Sequence, residues 1–347
     1  MHASTINANH KSPFLKIPFE KASYHSQIFR LRKLAEEALR NYSFKVKKIA
    51  FVNHGENTVF KVFSTNGKKF MLRIHRHNYH TEGAINEELA WLALLSKQKF
   101  LVPKPMKSKK GKYLLNLFHP YVGQARFCSL FDWIDGRFLN KTVSAKQLYQ
   151  TGRLIAQLQL NTPKAKVNHR RYWTPEGLAG TPTTFGNLDD IPILTAQQQK
   201  LATRARKIVF KNLKAYRKKF PKRMGLIHAD LHFGNAFFTS KGLAAIDFDD
   251  CGLGFHIYDL VVPFLSVSHD RDSKEKLNTY KKSLFEGYRS VKTLDEQDEK
   301  IFRHLLQARK LIMISWLYSR SDNPRLKKHF KKYAKNALKE VKQDYGL

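Results

Sequence analysis

The chain has 347 residues, with 63 Lys+Arg against 28 Asp+Glu, a formal charge of +35, 42% hydrophobic and 26% charged residues. A chain of this length buries one large core or two modest ones, and its composition is globular rather than disordered. No apolar run approaches the ~20 residues that span a bilayer; MHASTINANHKSPFLKIPFEK lacks a signal peptide's apolar stretch; and the only cysteines, Cys128 and Cys251, exclude a disulfide framework or metal knuckle, so a reduced cytoplasm is the expected location.

Residues 1–24 read as a flexible N-terminal arm. The spacing of apolar residues predicts a helix over 26–41. Strands follow at 45–54, 57–65 and 68–76, the last two joined by Asn66-Gly67, a strong hairpin signal. An amphipathic helix is predicted over 81–98, and strands over 112–118 and 126–134 complete a small antiparallel sheet of five strands. Asp135-Gly136 reads as a hinge. Beyond it, helices are expected at 144–160, 194–218, 255–268, 272–290, 294–320 and 324–343, interrupted by a strand-loop-strand-turn-strand insert at 225–248. The fold class is therefore α+β: a small antiparallel-sheet lobe over 25–134, a larger, mainly helical lobe over 135–347, and a cleft between them of the kind ligands favour.

Charge is unevenly spread. Residues 203–223, TRARKIVFKNLKAYRKKFPKR, hold ten basic side chains and no acid, and the segment 324–347 is lysine-rich. Such runs read first as solvated helix faces and second as contacts for nucleic acid or an acidic surface. No acid occurs from residue 191 to 229; then Asp230, Asp247, Asp249 and Asp250 arrive together in LIHADLHFGNAFFTSKGLAAIDFDD. His228-x-Asp230-x-x-x-x-Asn235 occupies a loop after a strand, and the hairpin AFFTSKGLAAI returns the chain so that Asp247 lies beside Asn235. One amide oxygen and one carboxylate suit Mg²⁺, which binds few protein ligands and completes its shell with water and substrate phosphates. Asp230 is left to accept a proton from an attacking hydroxyl. Gly234 is expected to ease the turn before Asn235.

HADLHFGN followed by IDFDD resembles the catalytic and metal-binding motifs of the aminoglycoside phosphotransferase and choline kinase superfamily, whose fold is protein-kinase-like and bilobal. FDWIDGRF (131–138) resembles that family's hinge and TGRLIAQLQ (151–159) its first large-lobe helix. RYWTPEGLAG (171–180) and GFHIYDLV (254–261) resemble segments of homoserine-kinase-like and bacterial stress-kinase-like members. The resemblance spans most of the chain and implies an ATP- and Mg²⁺-dependent phosphotransferase with Asp230 as catalytic base and Asn235 and Asp247 as metal ligands. His228 is expected to brace the catalytic loop, Asp249 and Asp250 to support the site or face substrate, and Asp259 to bind backbone N–H groups.

On the nucleotide side, Lys69, Met71, Arg73 and His75 share one face of their strand. Kinase-like folds place a lysine here for the phosphates; this chain has Arg73, which keeps the charge but is planar and longer. The resemblance implies Glu88, rather than Glu87, as its partner, and Met71 as a contact for adenine. GENTVF, with Gly55, Asn57 and Thr58, would cover the phosphates although it lacks a GxGxxG pattern. The hinge residues Asp132, Trp133 and Ile134 would offer backbone groups to the adenine edge.

The acceptor is expected to be a small-molecule hydroxyl. A polycationic aminoglycoside would need an acid-lined pocket, whereas between Asp135 and Asp230 only Glu176, Asp189 and Asp190 are acidic. The loop 169–185, with Arg170, Arg171, Tyr172 and Trp173, suits an anionic acceptor. Two alternatives stand beside this reading: a Ser/Thr protein kinase of the bacterial stress-kinase type, and a nucleotide-binding pseudokinase without catalysis.

Overall fold

The computed structural model describes residues 17–138, 143–268, 272–321 and 324–347. The chain divides into two compact units, Met1–Ser96 with Val102–Asp135, and Lys97–Leu101 with Gly136–Leu347.

The first unit contains α1 (Tyr24–Leu39), β1 (Val46–His54), β2 (Thr58–Ser64), β3 (Lys69–Ile74), α2 (Glu82–Lys97), β4 (Pro105–Met106), β5 (Leu114–Phe118) and β6 (Ala125–Asp132). The sheet runs β1-β2-β3-β6-β4, with β5 also paired to β6, all antiparallel. The two-residue β4 is an addition to the five expected strands. Gly67 turns the β2–β3 hairpin at φ +83°, a conformation that costs glycine little.

Strand alternation divides this sheet into two chemical faces. Phe60, Val62, Phe70, Leu72, Ile74, Cys128 and Leu130 pack with Leu31, Leu34, Ala35 and Ala38 of α1 into one core. The other face carries Lys61, Met71 and Phe131 side by side in register, with Arg73 one pleat along β3. The arm expected to be loose through residue 24 lies partly outside the described residues. From residue 17 on it is held. Arg30 donates to the carbonyl of Ile17 at 2.8 Å, and Phe19 is buried beneath the Arg126 guanidinium, 4.8 Å from its ring centroid.

The second unit contains β7 (Arg137–Phe138), α3 (Ala145–Leu160), β8 (Arg171–Trp173), α4 (Pro175–Ala179), α5 (Ala196–Lys219), β9 (Met224–Ile227), β10 (Ala236–Thr239), β11 (Gly242–Ala245), β12 (Gly252–Phe255), α6 (Tyr258–Val267), α7 (Lys274–Arg289), α8 (Glu296–Tyr318) and α9 (Pro324–Tyr345). Side-chain and backbone groups close capping boxes at Ser144, Thr195 and Asp295, satisfying the first N–H groups of α3, α5 and α8.

Two small sheets matter for the site. One is β11-β10-β7; the other is β8-β12-β9, with β8 parallel to β12. The second sheet corrects two expectations. The helix expected from residue 255 begins at Tyr258, because residues 252–255 form β12. The segment read as a free loop over 169–185 contains β8 and α4. Glycine at 252 makes this pairing feasible, since a Cβ there would lie 2.2 Å from the Arg171 carbonyl oxygen.

Helices α3 and α7 cross through reciprocal glycines. A Cβ on Gly152 would sit 1.9 Å from the Leu284 carbonyl oxygen, and one on Gly287 would sit 1.9 Å from that of Tyr149. Backbone cannot yield as a side chain can. Gly152→Ala and Gly287→Ala are each expected to destabilise the protein by about 1–3 kcal/mol, read as a lower urea midpoint at unchanged slope. Wild-type midpoints for both would refute the close approach.

Candidate active-site residues

The candidate catalytic segment begins where β9 ends. Ala229 follows at φ +66° and Asp247, after the hairpin, at φ +61°. Non-glycine residues seldom adopt this region, and such strain persists only where surrounding contacts over-determine it. At Ala229 the contact is Asp259, from the first turn of α6. Its carboxylate accepts the N–H groups of His228 at 3.0 Å and Ala229 at 2.7 Å, and a third hydrogen bond from Gln159 at 3.0 Å. Burial pushes the Asp259 carboxyl up to about 6, against these hydrogen bonds, which hold the charged form.

His228 is fully buried. Its Nε2–H donates to the Ile246 carbonyl at 3.0 Å, and its Nδ1 accepts the Asp230 N–H at 3.3 Å. The ring thus ties the loop that carries Asp230 to the end of β11, and burial pushes its pKa down to about 4.

Asn235 and Asp247 are brought together by the hairpin. Ala236 pairs with Ala245, and the Ile246 N–H donates to the Asn235 carbonyl at 2.9 Å. The Asn235 amide nitrogen donates to the backbone oxygen of Asp230 at 2.9 Å. That bond fixes the amide plane and leaves Oδ1 as an acceptor. Asp247, one residue beyond Ile246, is exposed. An amide oxygen and an exposed carboxylate form a hard-oxygen donor pair that fits Mg²⁺ better than a nitrogen- or sulfur-seeking metal. Gly234 does not need a left-handed backbone; the nearest neighbour of a Cβ there is the movable His232 ring, 2.6 Å away.

Asp230 carries a partner that sequence reasoning missed. Arg309 of α8 places Nη2 2.5 Å from Asp230 Oδ1, and its Nη1 donates to the Tyr258 hydroxyl at 3.3 Å. A signal for Arg309 was present. Leu305, Ala308 and Ile312 form a buried helical stripe that Arg309 shares at i, i+3, i+4, i+7 spacing. A cation on such a face is seldom buried without a partner.

The remaining expected residues divide. Asp249 and Asp250 lie in a short 3-10 turn after Asp247. Asp250 forms an ion pair with Arg171 at 3.0 Å, and burial, with Asp230 nearby, pushes its carboxyl up to about 6. Trp173 is wholly buried rather than turned to a substrate. Its indole N–H donates to the Asp250 carbonyl at 2.8 Å and its ring stacks on Tyr258. Arg170 is likewise buried, donating to the carbonyls of Phe248, Asp249 and Cys251. Both hold the backbone of the turn after Asp247. Tyr172 is exposed, its hydroxyl bonded to the Asn168 carbonyl at 3.3 Å.

In the first unit Arg73 and Glu88 are joined at 2.6 Å, both buried. The Arg73 guanidinium also lies 5.0 Å from the Phe131 ring centroid. Met71 is half-buried on the same face. The segment Gly55–Thr58 is less free than expected. Thr58 is buried and bonded to His54 Nδ1 at 2.7 Å, and the Asn57 side chain accepts the Arg76 N–H at 3.4 Å. A Cβ on Gly55 would meet only ordinary contacts. At the expected hinge, the N–H groups of Asp132 and Trp133 donate to Lys104 and Lys69. Trp133 is pinned by its indole N–H to Asp135 at 3.0 Å and by the Lys61 ammonium 3.9 Å from its ring centroid. Ile134 is half-buried. Among the described residues no three His, Cys, Asp or Glu side chains cluster as a metal site, and no helix is long and apolar enough to cross a membrane.

The His228 geometry has a pH consequence. Its folded pKa of about 4 lies below the ordinary 6.5, so the unfolded chain takes up the proton first. The stabilisation is complete above ~6.5 and is lost as pH falls toward ~4. Over that window the unfolding free energy of the wild type should decline relative to His228→Gln, measured by urea titration at each pH; a constant difference would refute the neutral, buried imidazole.

Residues 48–294 match the model of the phosphotransferase enzyme family called APH. Amicoumacin kinase of Bacillus subtilis is 23% identical over 318 residues, covering 85% of this chain and 87% of that protein. An uncharacterised protein of Synechocystis is 26% identical over 288 residues, covering 79% and 75%. Among solved structures, a microcompartment-associated aminopropanol kinase superimposes with a TM-score of 0.78 at 25% identity, over 90% of this chain and 97% of that one. The amicoumacin kinase hAmiN, in complex with AMP-PNP, Ca²⁺ and Ami, gives 0.73 at 19%, over 92% and 96%. The matched span shows that the chain belongs to the APH phosphotransferase enzyme family, and its fold is shared with the aminopropanol kinase and with a choline kinase of Streptococcus pneumoniae.

Proposed function

We propose that this protein moves the γ-phosphoryl group of ATP to a hydroxyl of a small molecule, with Mg²⁺ as the metal. The observation that carries this reading is the constellation of Asp230, Asn235 and Asp247, fixed by Asp259 and His228 in a strained backbone. Asp230 orients the acceptor hydroxyl and receives its proton as the new O–P bond forms and the bond to the β-phosphate oxygen breaks, releasing ADP. Asn235 Oδ1 and Asp247 hold Mg²⁺, which when bound offsets the charge of the nucleotide phosphates. Arg73, oriented by Glu88, supplies a fixed cation for the phosphates, and Met71 offers an apolar contact to the base. Arg309 holds Asp230 in place through their ion pair. Dependence on ATP fits a cytoplasmic site of action.

A polycationic acceptor is disfavoured, because the acids that would line its pocket have local partners. Glu176 pairs with Arg217 at 2.7 Å, Asp189 with Arg206 at 2.7 Å, and Asp190 bonds to Asn187. The earlier case for an anionic acceptor weakens in turn, since Trp173 is buried and Arg171 faces Asp250. A small amino alcohol is the acceptor class best supported. The support is that one of the structural relatives, at 25% identity, is an aminopropanol kinase.

An ADP-release assay across amino alcohols, hydroxy acids and aminoglycosides tests this order; turnover confined to hydroxy acids would restore the anionic reading. With any accepted substrate, Asp230→Asn should lower kcat by at least 10³-fold while nucleotide affinity stays near wild type. Asp247→Asn should instead weaken Mg²⁺-dependent nucleotide binding. Retained turnover in the first, or unchanged binding in the second, would remove the role assigned. Arg309→Met should lower kcat ~10-fold or more at constant KM for nucleotide, about 1.4 kcal/mol per factor of ten, with Arg309→Lys recovering part of it. An unchanged kcat in Arg309→Met would show that Asp230 needs no such partner.

A further inference from the structure

Apart from phosphotransfer, we propose that helices α5 and α9 form a docking face for duplex nucleic acid, contacted through its phosphate backbone. On α5, Lys200, Arg204, Lys207, Lys211, Lys214 and Lys218 are all exposed and recur at alternating steps of four and three. That spacing places all six on one side of the helix. The opposite side, with Ala202, Ala205, Val209, Leu213 and Tyr216, is buried. On α9, Lys328, Lys331, Lys335, Lys339 and Lys342, at steps of three and four, are exposed along one side, while Phe330, Ala334, Leu338 and Val341 are buried on another. The two helices pack against each other and both against α8, so each turns its lysines away from the shared contact.

The stripes keep their charge uncompensated by their own helices. α5 has no acidic residue. The two acids of α9 reach back to α8, Glu340 to Lys310 at 2.5 Å and Asp344 to Arg303 at 2.9 Å. The α5 stripe extends ~27 Å, with a cation about every 5 Å at 1.5 Å rise per residue. Duplex nucleic acid offers about one phosphate charge per 1.7 Å of axis, enough to meet every cation of such a row.

Three observations separate this occupant from others. An amphipathic basic helix that lies on a membrane needs its apolar side for the bilayer, and here that side is taken up by α5 and α8. The exposed large hydrophobic residues of the described chain, such as Ile193 and Leu160, lie outside α5 and α9. Neither stripe contains an aromatic residue on which an unpaired base could stack, which favours a duplex backbone over a single strand. The contact expected is therefore sequence-independent and strongly salt-dependent.

The test is fluorescence anisotropy with a labelled 24-base-pair duplex, titrated at several salt concentrations. Wild type should bind saturably at ~0.1 M salt, and log affinity should fall linearly with log salt, with a slope of about −0.9 per phosphate contacted. Charge reversal at Lys207, Lys211 and Lys214 of α5, or at Lys331, Lys335 and Lys339 of α9, should each weaken binding tenfold or more and flatten that slope. Reversal at Lys107, Lys110 and Lys112, exposed in the first unit, should change it less than twofold. Melting temperatures of all variants should match wild type, so that lost binding is not lost folding. No saturable binding, or equal losses from all three triple variants, would overturn the proposal. Binding to vesicles of anionic phospholipid with none to duplex would overturn it in favour of a membrane surface.

Discussion

The geometry of the segment that carries Asp230 depends on one carboxylate. Asp259 accepts two successive backbone N–H groups just before Asp230, and without it the left-handed turn at Ala229 would have no counterweight. A residue in this region lies 1–3 kcal/mol above its relaxed state, on the usual order of magnitude, so the strain must be met by contacts that no relaxed backbone could make. Asp259 stands on the first turn of a buried helix and is fixed by Gln159, which donates also to the His256 carbonyl and accepts from the Tyr288 hydroxyl. The chain direction at Asp230 is thus set by α3, α6 and α7 together. His228 then carries that positioning across to β11 and the start of the Asp247 turn.

Two ion pairs occupy the candidate active-site residues, the buried pair of Arg73 with Glu88 and the half-buried pair of Arg309 with Asp230. Such pairs are weak sources of stability, because desolvation offsets much of the attraction. Their use lies in direction. A guanidinium presents fixed N–H vectors, so each pair holds a charged group in one orientation within its own unit. The Arg170 and Trp173 contacts do the same for backbone, pinning the carbonyls of the turn after Asp247.

The distribution of acids follows from the same need. In a chain of net charge +35, long-range repulsion among cations favours placing each carboxylate where it neutralises or orients something specific. Glu176, Asp189, Asp295 and Asp298 each meet an arginine within the second unit. The exposed lysine stripes of α5 and α9 are the exception: the acids that meet these two helices pair with other cations, Arg206, Arg217, Arg303 and Lys310.

Much of this was legible in the order of residues. Local periodicity placed the helices, because a 3.6-residue repeat is written into any amphipathic segment. The Asn66-Gly67 turn and the return of Asp247 to Asn235 followed from hairpin geometry, which needs only near neighbours. The pairing of Arg73 with Glu88 was reachable only through the family resemblance, which sets a cation on that strand against a carboxylate of the following helix. Three features were not legible. Trp173 looked like a substrate contact until β8 joined β12; Thr58 looked like a phosphate contact until His54 claimed its hydroxyl; and Arg309, far along the chain from Asp230, gave no local sign of its partner. The sequence by itself determined which residues are candidates for chemistry and which elements they stand on. Only the tertiary structure decided which of them are taken up by one another and which stay exposed, because parallel strand pairing and helix-to-loop ion pairs join residues whose separation along the chain is set by nothing local.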